Sequence, residues 1–252
     1  MDILLYIYIG SIGLIFGSFF NVVGLRVPEQ QSIIKPRSHC PKCKHELTAR
    51  ELIPVLSYIL QRGKCKSCGT KISFIYPATE LLTGALFSLS AIMLGWSLEL
   101  IVALLLMSLL MIVFVSDIHF MIIPDKVLFF FAPLLVIVRI FVPMTPWWSA
   151  FLGSAVGFFL LFFIAYISNG GMGGGDIKLF AVLGLALGWN GVLLALMFAS
   201  LYGTIIGGIG LLSGKIKRGQ LVPFGPFIVF GTITAYFFGQ PIVQWYIEII
   251  SL

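Results

Sequence analysis

The chain has 252 residues, 59% of them hydrophobic and only 10% charged, with a mean hydropathy of +1.06. Soluble domains carry about 25% charged residues, so composition excludes an ordinary soluble enzyme and indicates an all-α polytopic membrane protein. The net charge of +6 does not imply nucleic acid, because ten of the sixteen Lys and Arg residues fall between Arg26 and Lys71. Such a cluster is first a topology signal, since basic loops stay in the cytoplasm.

The first element, MDILLYIYIG onward, lacks the basic start and small-residue cleavage site of a signal peptide and is expected to be a retained span. About 20 apolar residues cross a bilayer, and about eight transmembrane helices are expected, at roughly 3–25, 76–95, 98–116, 126–142, 148–167, 177–189, 191–212 and 223–250. With segment 26–75 in the cytoplasm, the loops at 117–125, 168–176 and 213–222 fall on that side too. The last of these carries Lys215, Lys217 and Arg218, and all five tryptophans land at or near the opposite interface. Segment 177–189 is short for a span, but removing it would put the basic 213–222 loop outside. The expected organisation is a first helix over 1–25, a cytoplasmic insert over 26–75 and a membrane core over 76–252.

The insert holds every cysteine, as CPKC at 40–43 and CKSC at 65–68. Each CxxC is a knuckle able to turn two thiolates toward one point. Cys40, Cys43, Cys65 and Cys68 together suit a tetrahedral, structural Zn²⁺ site. Disulfides are disfavoured in the reducing cytoplasm, and a redox CxxC lacks its βαβ setting. His39 and His45 flank the first knuckle and are read as solvated loop residues. A fifty-residue insert has little core, so the metal is expected to supply much of its stability.

Ionisable residues near bilayer depth are costly and mark function. Asp125, in IIPDKV, is read as the cap of the helix that Pro124 introduces. Asp117, in FVSDIHF, ends a span and cannot cap that helix. Asp176 follows GGMGGG and starts a span. A hairpin of two spans separates Asp117 from Asp176, which returns the chain to the same face. Two neighbouring carboxylates share a proton, which is the chemistry of aspartic proteases. The glycines at 170–175 are expected to stay non-helical and let an extended substrate approach the backbone. A dinucleotide fingerprint fails, because no strand precedes them.

These residues resemble a known family. The GxGD element formed by Gly173, Gly174, Gly175 and Asp176, with D-x6-P-D at Asp117, Pro124 and Asp125, looks like the type IV prepilin peptidases of the GxGD aspartic protease class. GSFFNVVGLRVP at 17–28, both CxxC pairs, RGKC at 62–65, YPATE at 76–80 and VPFGPF at 222–227 follow in that family's order. The resemblance implies removal of the leader peptide from prepilins or pseudopilins at the cytoplasmic face of the bacterial inner membrane. It also implies N-methylation of the new terminus with S-adenosylmethionine. It makes Asp117 and Asp176 the catalytic pair, Asp125 a supporting residue, and Gly63 and Lys64 a pair linked to methyl transfer. The implied partners are the precursors and the lipid bilayer, with no nucleic acid.

Two other functions fit parts of the pattern. A proton-coupled transporter would use both acids and a broken helix, but it leaves the cysteines without a purpose. A scaffold would make the acids simple caps. Loss of precursor cleavage in Asp117→Ala and Asp176→Ala separates the three.

Overall fold

The computed structural model describes residues 2–168, 171–215, 217, 220 and 222–250; Gly170 of the glycine run and Arg218 of the basic loop lie outside them. Every expected apolar segment is helical: α1 (Asp2–Arg26), α3 (Ile75–Leu94), α4 (Glu99–Phe120), α5 (Asp125–Phe141), α6 (Ser149–Ile167), α7 (Gly174–Leu212) and α8 (Gly225–Ile250). Between α1 and α3 lie a 3-10 turn, Ala49–Leu52, and the short α2 (Leu56–Leu60). Among the described residues no strand forms beyond two isolated bridges in the insert.

Among the described residues, six helices are long and apolar enough to cross a membrane. The expected count was eight. The difference lies in α5, which is only 17 residues long, and in α7, where two expected spans run on as 39 residues. A straight helix of that length would reach about 58 Å, nearly twice the about 30 Å of the hydrocarbon core. Gly188 interrupts it with φ 71 and ψ 179, a conformation glycine adopts without steric cost. The carbonyls orphaned by the break are met by buried Arg139 of α5, whose guanidinium donates to Leu185 O at 3.3 Å and to Ala186 O. A buried cation in this apolar setting is tolerable only with such partners.

The chain divides into two compact units, Met1–Val115 and Ser116–Leu252. In the first, α1 packs on α3 through small residues. A Cβ added at Gly13 would lie 2.8 Å from Gly84 Cα, and one at Gly17 would lie 2.8 Å from Glu80 Cα. In lipid, where apolar burial gives no net drive between helices, such close backbone approach supplies the packing energy. Thr79 Oγ1 donates to Asn21 Oδ1 at 2.6 Å across the same interface. The buried Glu80 carboxylate accepts from Val55 N at 2.7 Å and so ties the insert to α3.

The second unit repeats the device. At Gly153 on α6, a Cβ would lie 2.5 Å from Gly188 C, and at Gly157 it would lie 2.5 Å from Phe180 O. α6 therefore crosses α7 with backbones nearly touching. α8 also packs on α7, and the fully buried Phe180, Leu179, Leu183 and Ile228 fill the unit's core.

Candidate active site

The tight turns around the two aspartates come from local sequence. α4 ends at Phe120, and Met121 reverses the chain with φ 54 while its N–H returns to Asp117 O at 2.9 Å. Ser116 Oγ donates to Ile122 O at 2.5 Å, which pins the turn. Pro124 then serves as N-cap residue of α5. Asp117 is thereby held in the last turn of α4, 5% exposed.

Asp117 does act as a cap, but of another helix. Its Oδ2 accepts the N–H of Gly225, the first residue of α8, at 2.7 Å. The fit is close: a Cβ on Gly225 would stand 2.6 Å from Asp117 Oδ2 and 2.7 Å from its Cβ and Cγ. Asp176 sits in the first turn of α7, with Gly173 as N-cap residue, and its carboxylate accepts the Gly173 N–H. The Asp117 carboxylate also contributes to the electrostatic surroundings of Asp176. Each acid thus lies at the positive end of a helix, Asp117 at the start of α8 and Asp176 in the first turn of α7.

The glycine run is less irregular than expected. Gly173 is extended (φ −68, ψ 139), whereas Gly174 and Gly175 already belong to α7. Helical hydrogen bonding wins over glycine's backbone freedom as soon as the span begins. Gly175 is small because of packing: a Cβ there would lie 3.0 Å from Ile123 Cβ of the reversing turn. Gly174 meets nothing within 4 Å, which leaves that side of the helix start open.

Asp125 also departs from expectation. It is the first residue of α5, one past the N-cap position that Pro124 holds, and Lys178 Nζ donates to its Oδ2 at 2.7 Å. Both side chains are about half exposed. A cation two residues after Asp176 was in plain view in GDIKL, yet nothing in the sequence paired it with Asp125. Gly225 was equally visible within VPFGPF without any signal that it would meet Asp117.

In the insert, the two CxxC segments fold alike. Cys40 N–H donates to His45 O and Lys44 N–H to Cys40 O; Cys65 N–H donates to Thr70 O and Gly69 N–H to Cys65 O. The turn residues Lys44 and Gly69 share a left-handed φ, 59 and 69. The four sulfurs lie within 4.8 Å of one another, with Cys40–Cys68 at 3.8 Å and Cys43–Cys65 at 3.9 Å. A tetrahedron with metal–sulfur bonds of about 2.3 Å has edges of about 3.8 Å, so the cluster fits a metal ion. The Thr70 hydroxyl and N–H pull the Cys68 thiol down to about 6. Cys43 is pushed up to about 11, since burial and the other three thiols outweigh the His45 amide. Four sulfurs this close cannot all carry charge without a cation among them.

The histidines are not part of that cluster. His45 Nε2 lies 3.4 Å from Glu51 Oε2, and His39 Nδ1 lies 2.9 Å from Arg37 O. The N–H and hydroxyl of Thr48, then His45, hold the Glu51 carboxyl below its usual range. Gly63 has φ 66, and a Cβ there would meet Tyr58 Oη at 2.9 Å, while Lys64 is exposed and bridges to Lys71. The structure therefore gives Gly63 a local reason, shaping the turn that leads into the second knuckle.

Comparison with known proteins agrees with this layout. Residues 11–94 match the Bacterial Peptidase A24 N-terminal domain, and residues 104–208 match the type IV leader peptidase family. The chain is 50% identical over 236 residues to a prepilin leader peptidase/N-methyltransferase of Bacillus subtilis, covering 94% of this chain and 95% of that one. Identity to the protein of the same name from Myxococcus xanthus is 39% over 214 residues, 82% of this chain and 63% of the relative. For that of Aeromonas salmonicida it is 33% over 273 residues, 94% and 92%. No solved structure matches. Similarity of this depth, running nearly end to end in two of these relatives, places the chain in the type IV leader peptidase family.

Proposed function

We propose that this protein is a membrane aspartic endopeptidase that removes the leader peptide of type IV prepilins or pseudopilins and then N-methylates the new terminus. The observation that carries the reading is that Asp117 and Asp176, in a member of this family, lie at the starts of two helices, Asp117 accepting the first amide of α8 and Asp176 the Gly173 amide of α7, with the Asp117 charge felt at Asp176. One carboxyl takes a proton from the attacking water as its oxygen adds to the scissile carbonyl carbon. The other, protonated, donates to the carbonyl oxygen and then, as the C–N bond breaks, a proton passes to the leaving amine. Gly174 leaves its side of the α7 start open, where an extended substrate segment can lie, while Gly173 and Gly175 fit closely beside the Asp176 carboxylate and Ile123. Asp125, paired with Lys178, supports the fold of the two helix starts.

The basic insert and both aspartates face the cytoplasm of a multi-pass inner-membrane protein in this reading. By role, residues 1–25 are the first helix, 26–75 the insert serving methyl transfer, and 76–252 the peptidase core. Cys40, Cys43, Cys65 and Cys68 would hold Zn²⁺, which contributes stability to the insert and leaves no open coordination position. S-adenosylmethionine is the donor that the methyltransferase name of the relatives implies. A cavity between the end of α1 and the insert is lined by Arg26 and Arg37 and by no carboxylate, which does not fit a cationic donor with a ribose diol, so no step is routed through it. The direct test is cleavage of a purified precursor by Asp117→Asn and Asp176→Asn. Loss of cleavage in each, with normal membrane insertion, is the expected result; full cleavage by either would overturn the assignment.

A further inference from the structure

One cavity lies wholly within the first unit. It measures about 370 Å³ and lies between the last turns of α1 and the 33–52 stretch of the insert. Phe19, Val22 and Arg26 line it from α1, at spacings that place them on one helix face. That face runs from the apolar body of the helix to its charged end. Arg37 adds a second guanidinium, Ile34 and Leu52 are among the other lining residues, and no acid is among them. α1 is an apolar helix with only 17% of its most hydrophobic window buried within the protein, so its surface is a lipid-facing one.

We propose that this cleft binds one anionic phospholipid of the surrounding bilayer. Its phosphate would sit between Arg26 and Arg37, and an acyl chain would follow Phe19 and Val22. Guanidinium forks match phosphate oxygens in charge and in geometry. Basic pockets at the charged end of a membrane helix select anionic headgroups over zwitterionic ones. The wider field favours the same ligand: segment 26–75 carries ten Lys and Arg against Glu29, Glu46 and Glu51. The volume suits a headgroup with the first part of its chains. A soluble anion would make no use of the apolar wall, and a cation would be repelled by both arginines.

The test uses the full-length protein in neutral detergent, titrated with phosphatidylglycerol or phosphatidylcholine and read by native mass spectrometry, with metal content measured in the same samples. One phosphatidylglycerol is expected to bind above the annular background, with phosphatidylcholine at least tenfold weaker. Arg26→Gln and Arg37→Gln should each weaken phosphatidylglycerol about tenfold, the size of one lost charged hydrogen bond. Arg26 also donates to Ser32 O, so Val22→Trp, which fills the apolar end without altering charge, provides a second route to the same loss. Unchanged phosphatidylglycerol binding in all three variants would overturn the proposal, as would equal binding of phosphatidylcholine. Displacement of the lipid by equimolar inorganic phosphate would make this a bare anion site, and displacement by S-adenosylmethionine a donor site; either also overturns it.

Discussion

Replacing Gly225 with alanine adds a single methyl group where the structure leaves no space. That carbon would stand 2.6 Å from Asp117 Oδ2 and 2.7 Å from Asp117 Cβ and Cγ, about 1 Å inside the about 3.5 Å at which nonbonded carbons touch. Either the Asp117 side chain or the start of α8 must move by that amount. The alanine keeps its backbone N–H and is a better helix former than glycine, so neither the donor nor the helix is lost, and the variant isolates displacement. A catalytic group moved by about 1 Å costs on the order of 100-fold in rate, or about 2.7 kcal/mol of barrier. The assay is cleavage of a purified precursor by protein in proteoliposomes, with kcat and KM measured separately. A kcat about 100-fold lower is expected, with little change in KM and normal metal content. Gly208→Ala is the control, since a Cβ there meets nothing within 4 Å. A Gly225→Ala enzyme within threefold of the wild-type kcat would refute the claim that the Gly225 contact positions Asp117.

Other expectations follow from the same packing. Gly153→Leu drives a side chain into the backbone of α7 at Gly184 and Gly188 and should lower the thermal unfolding midpoint in detergent, at a cost of at least about 1–3 kcal/mol; an unchanged midpoint would contradict the close crossing. Cys40→Ser should reduce bound metal to near zero and expose the insert to limited proteolysis, whereas wild-type protein stripped by a strong chelator should become sensitive in the same region. Retention of one tightly bound metal in the Ser variant would rule out a four-sulfur site. The Lys178–Asp125 pair is half exposed, so a double-mutant cycle with Lys178→Met and Asp125→Asn should give a coupling below about 1 kcal/mol that shrinks with salt; a salt-independent coupling of several kcal/mol would mean that the pair is buried during turnover.

Much of the architecture was legible because lipid is a demanding solvent. Apolar runs must be helical to satisfy their own backbone, so each expected span appears as a helix, including both arms of α7. Where the reading departs, nonlocal geometry decides. The break in α7 falls beside the expected boundary between 177–189 and 191–212, but the identity of its partner, Arg139 of α5, depends on how two helices pack. The glycine run was read as open loop, yet Gly175 is already helical and is small because Ile123 presses against it.

The chain alone declared its solvent, its cysteine knuckles and its acids, since hydropathy, CxxC spacing and charge at bilayer depth are local properties. Tertiary structure decided which helix start Asp117 would face, that Asp125 would bond Lys178, and that Gly225 would leave no room beside Asp117. Those choices depend on distances between segments more than fifty residues apart, and they are set by how closely small residues let helices approach.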